Sequence, residues 1–570
     1  MANQNIPASV AIRAKPNFFD VFTILLIIAT GITIASATRH IYMPTAEVIH
    51  LEPRYLPRYA LLTTLRMFVA LIASLIFTFT YGVLAAKSKR AERILIPIID
   101  ILQSVPVLGF LTFTIVFFMN LFPGKILGVE LAAVFAIFTA QAWNMALSLY
   151  QTLKTIPEDM SEVAQSFGLT GWQRFWKLEA PAAMPGLIWN TMMSMSGSWF
   201  MIVFSETVTV NNKDIVLPGI GSYAAEAISQ SNINAIYYAI IAMFLVILVY
   251  DQLLFRPLVA WAEKFRFETT QSDYSKTPWL LKFFQRTSFI RWLNDHIAMM
   301  NHAIAMLPIG KRPFSVNKYK VPSKVIDIFY IPFVIVLTVG FAYYIYNSLH
   351  QQWTMAEALH VFWLGILSLV RIAIILVVAS IIWLPIGIWL GLRPEWAKKS
   401  QVISQFLAAF PANLLFPFFV MAIVHYNLNS NIWLTPLMIL GAQWYILFNV
   451  IAGASTLPGD LREVAKNFNI KGKLWWFKII IPAVFPYYVT GALTAYGGAW
   501  NATIAAELAS WGKTTLVADG LGAYISLATS SGDMFKLGLG MVVMSAYVIL
   551  FNHILWQPLY NYSKRRFAIA

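Results

Sequence analysis

Four charged side chains interrupt long apolar segments, and each needs a chemical reason to be there. Arg66 and Arg371 lie within one pair of segments, and Glu206 and Glu507 end another pair. A charge at mid-bilayer costs about 2.5–3.5 kcal/mol on insertion scales. One hypothesis is that the arginines favour an anion at the entrance of a path across the membrane. The alternatives are that they extend to the lipid headgroups or pair with the two glutamates.

The rest of the chain offers little for catalysis or metal binding. It has no cysteine, which excludes thiolate metal sites, disulfides and a cysteine nucleophile. The eight histidines are scattered without metal-ligand spacing. Gly512-Lys513-Thr514 matches part of a phosphate-binding loop, but position 507 is Glu where that loop requires glycine. We therefore expect this chain to be no enzyme and to bind no cofactor or metal of its own.

The composition is that of a polytopic membrane protein, because 59% of the residues are hydrophobic and only 12% are charged. Twelve apolar segments are each near the roughly 20 residues that a helix needs to cross a bilayer. They are residues 19–42, 61–86, 94–121, 127–152, 184–210, 233–258, 325–347, 362–391, 401–426, 431–455, 484–508 and 534–560. The first predicts an uncleaved membrane anchor, because it is longer than a typical signal-peptide core.

The lysines and arginines set the predicted orientation. The net charge of +15 comes from basic residues in alternate connections, such as 87–93, 393–399 and 564–566. The positive-inside rule then places both termini in the cytoplasm. Membrane topology thus explains the basic charge, and we expect a lipid bilayer and no nucleic acid as a partner.

A polar segment between apolar segments occurs twice in the chain. Residues 157–186 align without a gap with residues 458–487. The same offset relates Trp199 to Trp500, Glu206 to Glu507, and Gly219-Ile220-Gly221 to Gly520-Leu521-Gly522. Each half has six predicted spans, an even number, so the halves are parallel repeats with the same orientation.

The predicted domains follow from this duplication. The first repeat covers residues 1–258 with a cytoplasmic loop at 153–182, and the second covers 325–570 with a loop at 454–483. A basic cytoplasmic linker, 259–324, joins them. Its basic and aromatic stretch, 279–293, predicts either an interfacial amphipathic helix or a plain connection.

The duplicated polar segment resembles the EAA loop of the permease subunits of binding-protein-dependent ABC importers. Its pattern is Glu-Ala-Ala, then glycine, then a hydrophobic stretch ending in proline. This chain departs from it with valine at the middle position of both copies and with Asn469 in place of glycine. The resemblance assigns ATPase coupling to Glu162, Val163, Ala164, Gly168, Gly171, Pro181, Glu463, Val464, Ala465, Asn469, Gly472 and Pro482.

In that family the segment is a short coupling helix that sits in a groove of the cytoplasmic ATPase. We expect Glu162 and Glu463 in the first helical turn, where the helix dipole favours an acid. Gly168 and Asn469 would end the helix at positive φ, which asparagine tolerates better than most residues. Pro181 or Pro482 would then set the start of the next span.

A second pattern, Trp…Glu…Gly-x-Gly, occurs in both halves and resembles that of the nitrate, sulfonate and taurine permeases. With its two halves, this chain resembles the duplicated version of such a permease, which is described as an anion permease. Glu206 and Glu507 would receive a binding protein, gate the path or pin the Gly-x-Gly loops. Other polar or proline residues that recur within the spans are candidates for the path. The candidates for the translocation path are Gln103, Pro106, Trp143, Asn144, Trp199, Glu206, Pro411, Asn413, Trp444, Trp500, Asn501 and Glu507.

The resemblance implies an all-α fold of about twelve spans in two six-helix repeats, as in type I ABC importer permeases. It implies two copies of an ATPase that carries ATP and Mg, an extracytoplasmic binding protein, and the prokaryotic cytoplasmic (inner) membrane. The solute would be a small anion such as nitrate, sulfonate, taurine or bicarbonate. Alternatives are a fused permease for ferric iron or thiamine, an ion-coupled secondary transporter, and a channel.

Overall fold

The structure is a computed structural model. It describes residues 48–104, 106–123, 125–156, 158–210, 213–262, 296, 299–303, 305–307, 354–455, 457 and 459–567. The predicted spans 19–42 and 325–347 and the 279–293 stretch lie outside the described residues. The domain boundaries, including the linker, therefore stay predictions.

The first repeat is helical with one added β-hairpin. Its elements are α1 Leu56–Phe77, which continues through a π turn at Thr78–Gly82 to Val83–Lys87; α2 Lys89–Ser104; α3 Val107–Leu121; α4 Leu127–Thr155; α5 Glu158–Ser166; Gly171–Arg174 and a π turn at Phe175–Glu179, leading into α6 Ala180–Ser205; β1 Thr207–Val210; β2 Lys213–Val216; α7 Ile220–Ser229; and α8 Ile233–Tyr250, which continues through a π turn at Asp251–Phe255 to Arg256–Ala262.

The second repeat follows the same order. Its elements are α9 Met355–Gly391; α10 Pro394–Ala409; a 3-10 turn at Ala412–Leu415 and α11 Phe416–His425; short turns at Ser430–Trp433 and Thr435–Met438; α12 Gln443–Ser455; α13 Gly459–Asn467; Lys473–Trp475 and a π turn at Trp476–Ile480, leading into α14 Ile481–Ala506; β3 Leu508–Trp511; β4 Thr514–Val517; α15 Leu521–Ser531; and α16 Met534–Phe551, which continues through a π turn at Asn552–Trp556 to Gln557–Phe567.

The described residues hold six helices long and apolar enough to cross a membrane, or eight if two bent pairs each form one span. The bent pairs correspond to the predicted spans 401–426 and 431–455. The span predicted at 94–121 is broken around Pro106 into α2 and α3. The all-α prediction is confirmed for the spans but missed the two antiparallel hairpins, β1–β2 and β3–β4. These hairpins end the predicted spans 184–210 and 484–508 early, at Ser205 and Ala506.

Four of the π turns end two residues before a proline, at Pro181, Pro257, Pro482 and Pro558. Proline has no N–H, and its ring clashes with the carbonyl four residues earlier. A π turn widens the helix at that point, so the helix continues instead of breaking. Pro181 and Pro482 are each the second residue of the α-helix of the next span, α6 and α14, so they lie at the entry to that span as predicted.

The described chain divides into two compact units. The smaller unit contains the described parts of 152–188 and 249–316. The larger unit contains those of 48–151, 189–248 and 354–567.

Within the larger unit the repeats interlock. Gly109 of α3 lies so close to α16 that a Cβ there would be 1.7 Å from the sulfur of Met541. On the other side, α11 contacts α8 through Phe418 and Tyr237, with ring centroids 5.4 Å apart. Each repeat's third span thus packs against the other repeat's last span. The largest hydrophobic core contains residues of both repeats.

Candidate functional site

The two predicted coupling segments form short helices, α5 and α13. Gly168 follows α5 at φ +66°, and Asn469 follows α13 at φ +50°, so the predicted positive-φ ends are confirmed. The N–H of Leu169 donates to the carbonyl of Ala164, and the N–H of Ile470 donates to that of Ala465. These bonds satisfy carbonyls that a helix end leaves free.

The glutamates of the coupling segments lie one turn later than predicted. Because α5 begins at Glu158 and α13 at Gly459, Glu162 and Glu463 fall in the second turn. The first-turn prediction is therefore wrong, and the dipole argument based on it does not apply. Both glutamate side chains are exposed.

Each coupling helix presents an apolar pair to solvent. Val163 is 54% exposed and Phe167 78%, and in the second copy Val464 is 46% exposed and Phe468 77%. Between the members of each pair, Ala164 and Ala465 turn inward and are buried. Exposed apolar residues at matching places in both repeats indicate a surface built to contact another protein.

The two segments differ in what supports them. After α5, Thr170 and Gln173 form a reciprocal capping box, and Arg174 pairs with Glu179 at 2.8 Å. In the second segment Gly472 begins the next helix at φ +59° without a side-chain cap. Gly171 occupies that place in the first segment, at the start of its capped helix.

Arg66 lies in a buried cluster with two carboxylates. Its guanidinium donates to Glu206 at 2.8 Å, to both oxygens of Glu130 at 2.7 Å, and to the carbonyl of Pro218 at 3.0 Å. The Arg66 side chain is 4% exposed and that of Glu206 is fully buried. Thr63 joins the cluster through the glutamate, its hydroxyl donating to Glu206 at 2.7 Å.

Arg371 lies in a related cluster with one carboxylate. It donates to Glu507 at 3.2 Å and to the carbonyl of Asp519 at 2.9 Å. Asn431 takes the place of Glu130 and accepts from Arg371 with its side-chain oxygen at 2.9 Å. Ser368 takes the place of Thr63 and donates to Glu507 at 2.6 Å.

For both arginines the structure shows the pairing alternative. The anion-entrance role of Arg66 and Arg371 stays a prediction that the geometry does not support. The hydroxyls of Thr63 and Ser368 are part of these clusters although neither residue is among those predicted from the sequence. The repeat could have pointed to them, because each hydroxyl residue lies three positions before its arginine.

The same two glutamates cap the helices that follow the hairpins. Glu206 accepts the N–H of Gly221 at 2.7 Å, and Glu507 accepts those of Gly522 at 2.7 Å and Ala523 at 3.1 Å. A Cβ on Gly219 or Gly520 would lie 2.2 Å from the carboxylate. The Glu…Gly-x-Gly pattern is therefore a long-range helix cap, in which glycine makes room for the acid.

A tyrosine on each capped helix ties that helix to the region where its repeat's first described span begins. The hydroxyl of Tyr223 donates to the carbonyl of Leu51 at 2.8 Å, and that of Tyr524 donates to Glu357 at 2.8 Å. Burial raises the pKa of Tyr223 to about 12. Burial, and then the hydrogen bond to Glu357, raise the pKa of Tyr524. Both phenols therefore remain donors at neutral pH.

Several path candidates are packed inside the protein. Trp199 is 2% exposed, and Trp500 is fully buried and stacks on Tyr547 with centroids 6.2 Å apart. Pro106 and Pro411 are buried where the third span of each repeat is broken. These residues shape the helices, and any contact with solute stays a prediction.

The remaining candidates lie in surroundings that differ from one to the next. Asn501 accepts the N–H of Val107, in the other repeat, at 2.8 Å. The side chains of Gln103 and Asn144 are exposed. The side-chain oxygen of Asn413 and the indole N–H of Trp143 are buried without a hydrogen-bond partner among the described residues. Trp444 is half-buried, with its ring centroid 5.0 Å from that of Trp383.

Comparisons with known proteins agree with these features. The family model described as binding-protein-dependent transport system inner membrane component matches residues 78–256 and 383–566. A bicarbonate transport system permease protein of Synechococcus elongatus is 29% identical over 191 residues, 34% of this chain and 66% of the relative. A nitrate import permease protein of Leptolyngbya laminosa is 27% identical over 191 residues, 34% of this chain and 65% of the relative.

A glycine betaine/carnitine transport permease protein of Listeria monocytogenes is 28% identical over 191 residues, 33% of this chain and 62% of the relative. The chain thus spans just under two thirds of the length of these relatives. The family matches cover more than half of the chain, once in each predicted repeat. The protein is therefore a multi-pass membrane protein that belongs to the family of binding-protein-dependent transport system inner membrane components and carries the family's domain twice.

Proposed function

We propose that this chain is the fused permease subunit of an ABC importer and moves a small solute inward by alternating access. The observation that carries the proposal is the pair of exposed coupling helices, each with a valine and a phenylalanine at matching positions. Family membership supports it. The chain is then a transport subunit, and ATP and Mg are bound by the partner ATPase.

The proposed partners follow from the duplication of the family's domain. Two ATPase copies would each take one coupling helix, with Phe167 or Phe468 as the apolar anchor. An extracytoplasmic binding protein would deliver solute at the end that carries the hairpins. In this proposal the coupling helices and both termini lie on the cytoplasmic side of a prokaryotic inner membrane.

The second repeat shows how force from the ATPase would travel. Residues 473–506 form one helix of 34 residues, which is about 50 Å long at 1.5 Å per residue. One end adjoins the coupling segment, and Glu507 at the other end holds α15 through its backbone N–H groups. Closure of the ATPase would therefore move this helix and the hairpin end as one body.

The favoured solute is a small oxyanion, because relatives named for bicarbonate and nitrate resemble this chain. A zwitterion is the second candidate, because relatives named for glycine betaine also match. No relative named above favours ferric iron, thiamine or ion-coupled transport. Solute must bind the two states differently for ATP to drive net movement.

The test is co-purification followed by transport. The chain would be expressed with its neighbouring genes, purified in mild detergent and reconstituted in vesicles. We expect an ATPase to remain bound and uptake to require ATP. A preparation that never retains an ATPase would refute the proposal, and uptake without ATP would favour a secondary transporter or a channel.

A further inference from the structure

One face of α14 is polar in the middle of an apolar helix. Thr490, Thr494, Gly497 and Asn501 recur at spacings that place them on one side of the helix. Thr490 and Thr494 are exposed. A Cβ on Gly497 would meet no atom of the described residues within 4 Å, so the space beside it is open. We call these four residues the polar stripe.

The polar stripe faces the other repeat. Asn501, at one end of it, accepts the N–H of Val107, the first residue of α3 in the first repeat. Because the other stripe residues share that side of α14, the helical spacing aims them towards the first repeat as well. The exposed threonines lie between Asn501 and the end of α14 that adjoins the second coupling segment.

Tyr445 of α12 lies beside this space, between the corresponding helices of the two repeats. A Cβ on Gly197 of α6 would be 3.9 Å from the Tyr445 hydroxyl, and one on Gly498 of α14 would be 4.0 Å from its ring. Glycines on both sides leave room for a small molecule to approach the backbone. Thr490 and Thr494 are not among the path candidates that the sequence predicts.

The first repeat presents a different surface at the same positions. Trp189, Met193, Ser196 and Phe200 replace the four stripe residues. Trp189 stacks on Phe448 of the second repeat, with ring centroids 5.2 Å apart. One wall between the repeats therefore carries hydrogen-bonding groups, and the other is largely apolar.

The stripe is polar but uncharged. The hydroxyls of Thr490 and Thr494 donate to the carbonyls one turn earlier, at 3.0 and 2.9 Å. They can rotate to donate to a passing solute instead, as the phenol of Tyr445 can. Neutral donors hold an anion more weakly than arginine does. A transport path needs such weak binding, because the solute must be released again.

We propose that the second repeat alone supplies the recognition wall of the path, with Thr490, Thr494, Asn501 and Tyr445 donating hydrogen bonds to a small oxyanion. The inference rests on the proposed function and adds to it the site and its asymmetry. The first repeat then forms the apolar side that limits the size of the solute.

The first experiment uses the absence of cysteine from the chain. Thr494→Cys and the control Val542→Cys, on an exposed apolar position of α16, would be treated in inside-out vesicles with a charged thiol reagent that cannot cross membranes. We expect labelling at 494 at least tenfold faster than at 542, because a thiol facing lipid stays protonated and out of reach. Equal labelling would overturn the assignment of the stripe to an aqueous path.

The second experiment measures recognition in the complete system with nitrate, bicarbonate and methanesulfonate as probes. Thr494→Val keeps the shape of the side chain and removes the hydroxyl, and we expect KM for the imported anion to rise about fivefold. Val542→Thr, the reverse exchange at the exposed control position on α16, should leave KM unchanged. An unchanged KM in Thr494→Val, or import of none of the three anions by the wild type, would overturn the recognition wall.

ATPase retention and ATP-dependent uptake are measured on the same preparations. Their absence from the wild type would refute the proposed function, whatever the labelling shows. Normal retention in Thr494→Val shows that a raised KM comes from solute contact and not from lost coupling.

Discussion

The two glutamates at matching positions of the repeats, Glu206 and Glu507, each hold three elements together through one carboxylate. Glu507 accepts from Ser368 and Arg371 on α9 and from Gly522 and Ala523 at the start of α15. These four donors match the lone-pair capacity of a carboxylate. The acid is therefore satisfied although it is fully buried.

Arg371→Met should destabilise the protein strongly. It leaves Glu507 buried without its countercharge, and breaking a buried pair from one side costs about 3–5 kcal/mol. Thermal unfolding in detergent measures the loss, and adding Glu507→Gln should recover part of it by removing the charge. As a control, Arg54→Met breaks an exposed pair with Glu52 and should cost no more than about 1 kcal/mol. Equal losses in the two arginine variants would contradict the role given to burial.

Gly520→Ala should also destabilise, for a steric reason. Its methyl group would lie 2.2 Å from the Glu507 carboxylate and push the acid off the helix that it caps. Leaving those buried groups without partners costs about 1–3 kcal/mol. Gly171→Ala is the matched control, because a Cβ there meets none of the described atoms within 4 Å. Equal melting temperatures of the two variants would contradict the explanation of the Glu…Gly-x-Gly pattern.

The coupling helices are the elements through which ATP would act. Each is about two turns long and exposes a phenylalanine that its own repeat leaves uncovered. Helices this short are marginal on their own, so the positive-φ ends at Gly168 and Asn469 and the flanking spans must hold them.

Phe468→Ser should reduce ATPase retention more than tenfold without unfolding the permease. The loss comes from removing an apolar anchor that an ATPase groove would bury. Such an anchor typically contributes about 2 kcal/mol to the binding free energy at an interface. Tyr426→Ser is a control, since Tyr426 is 69% exposed but lies outside both coupling segments. Pull-down with the partner ATPase measures the difference, and equal retention in the two variants would remove Phe468 from the interface.

At the scale of the whole molecule, the repeats are held together by interlocked spans. The contacts of Gly109 with Met541 and of Phe418 with Tyr237 join third and last spans across the repeats. Asn501 adds a polar contact from α14 to Val107. A covalent connection is then not needed to keep the halves associated.

Cutting the chain between residues 262 and 354 should therefore give two fragments that co-purify when expressed together. Affinity capture of a tagged first fragment measures this. The same capture with Gly109→Trp, which overfills the contact with Met541, should recover less of the second fragment. Fragments that separate in mild detergent would show that the linker, and not the interlocked spans, holds the repeats together.

The sequence by itself determined the membrane class, the duplication and the coupling segments. These follow from local properties, namely composition, apolar length and a repeated spacing. Gly168 and Asn469 were correctly predicted at positive φ because that requirement depends on one residue's backbone. The first-turn position predicted for Glu162 was wrong, because it depends on where the helix begins.

The tertiary structure decided which distant residues meet. Only folding brings Thr63, Arg66 and Glu130 to Glu206, and it turned two arginines that suggested an anion site into buried ion pairs. It also separated the buried Trp500 from its neighbour Asn501, which faces the other repeat one position along the same helix. Hydropathy reports how apolar a segment is, whereas the direction of each side chain depends on the helices packed around it. The polar stripe therefore became visible only in the packed molecule.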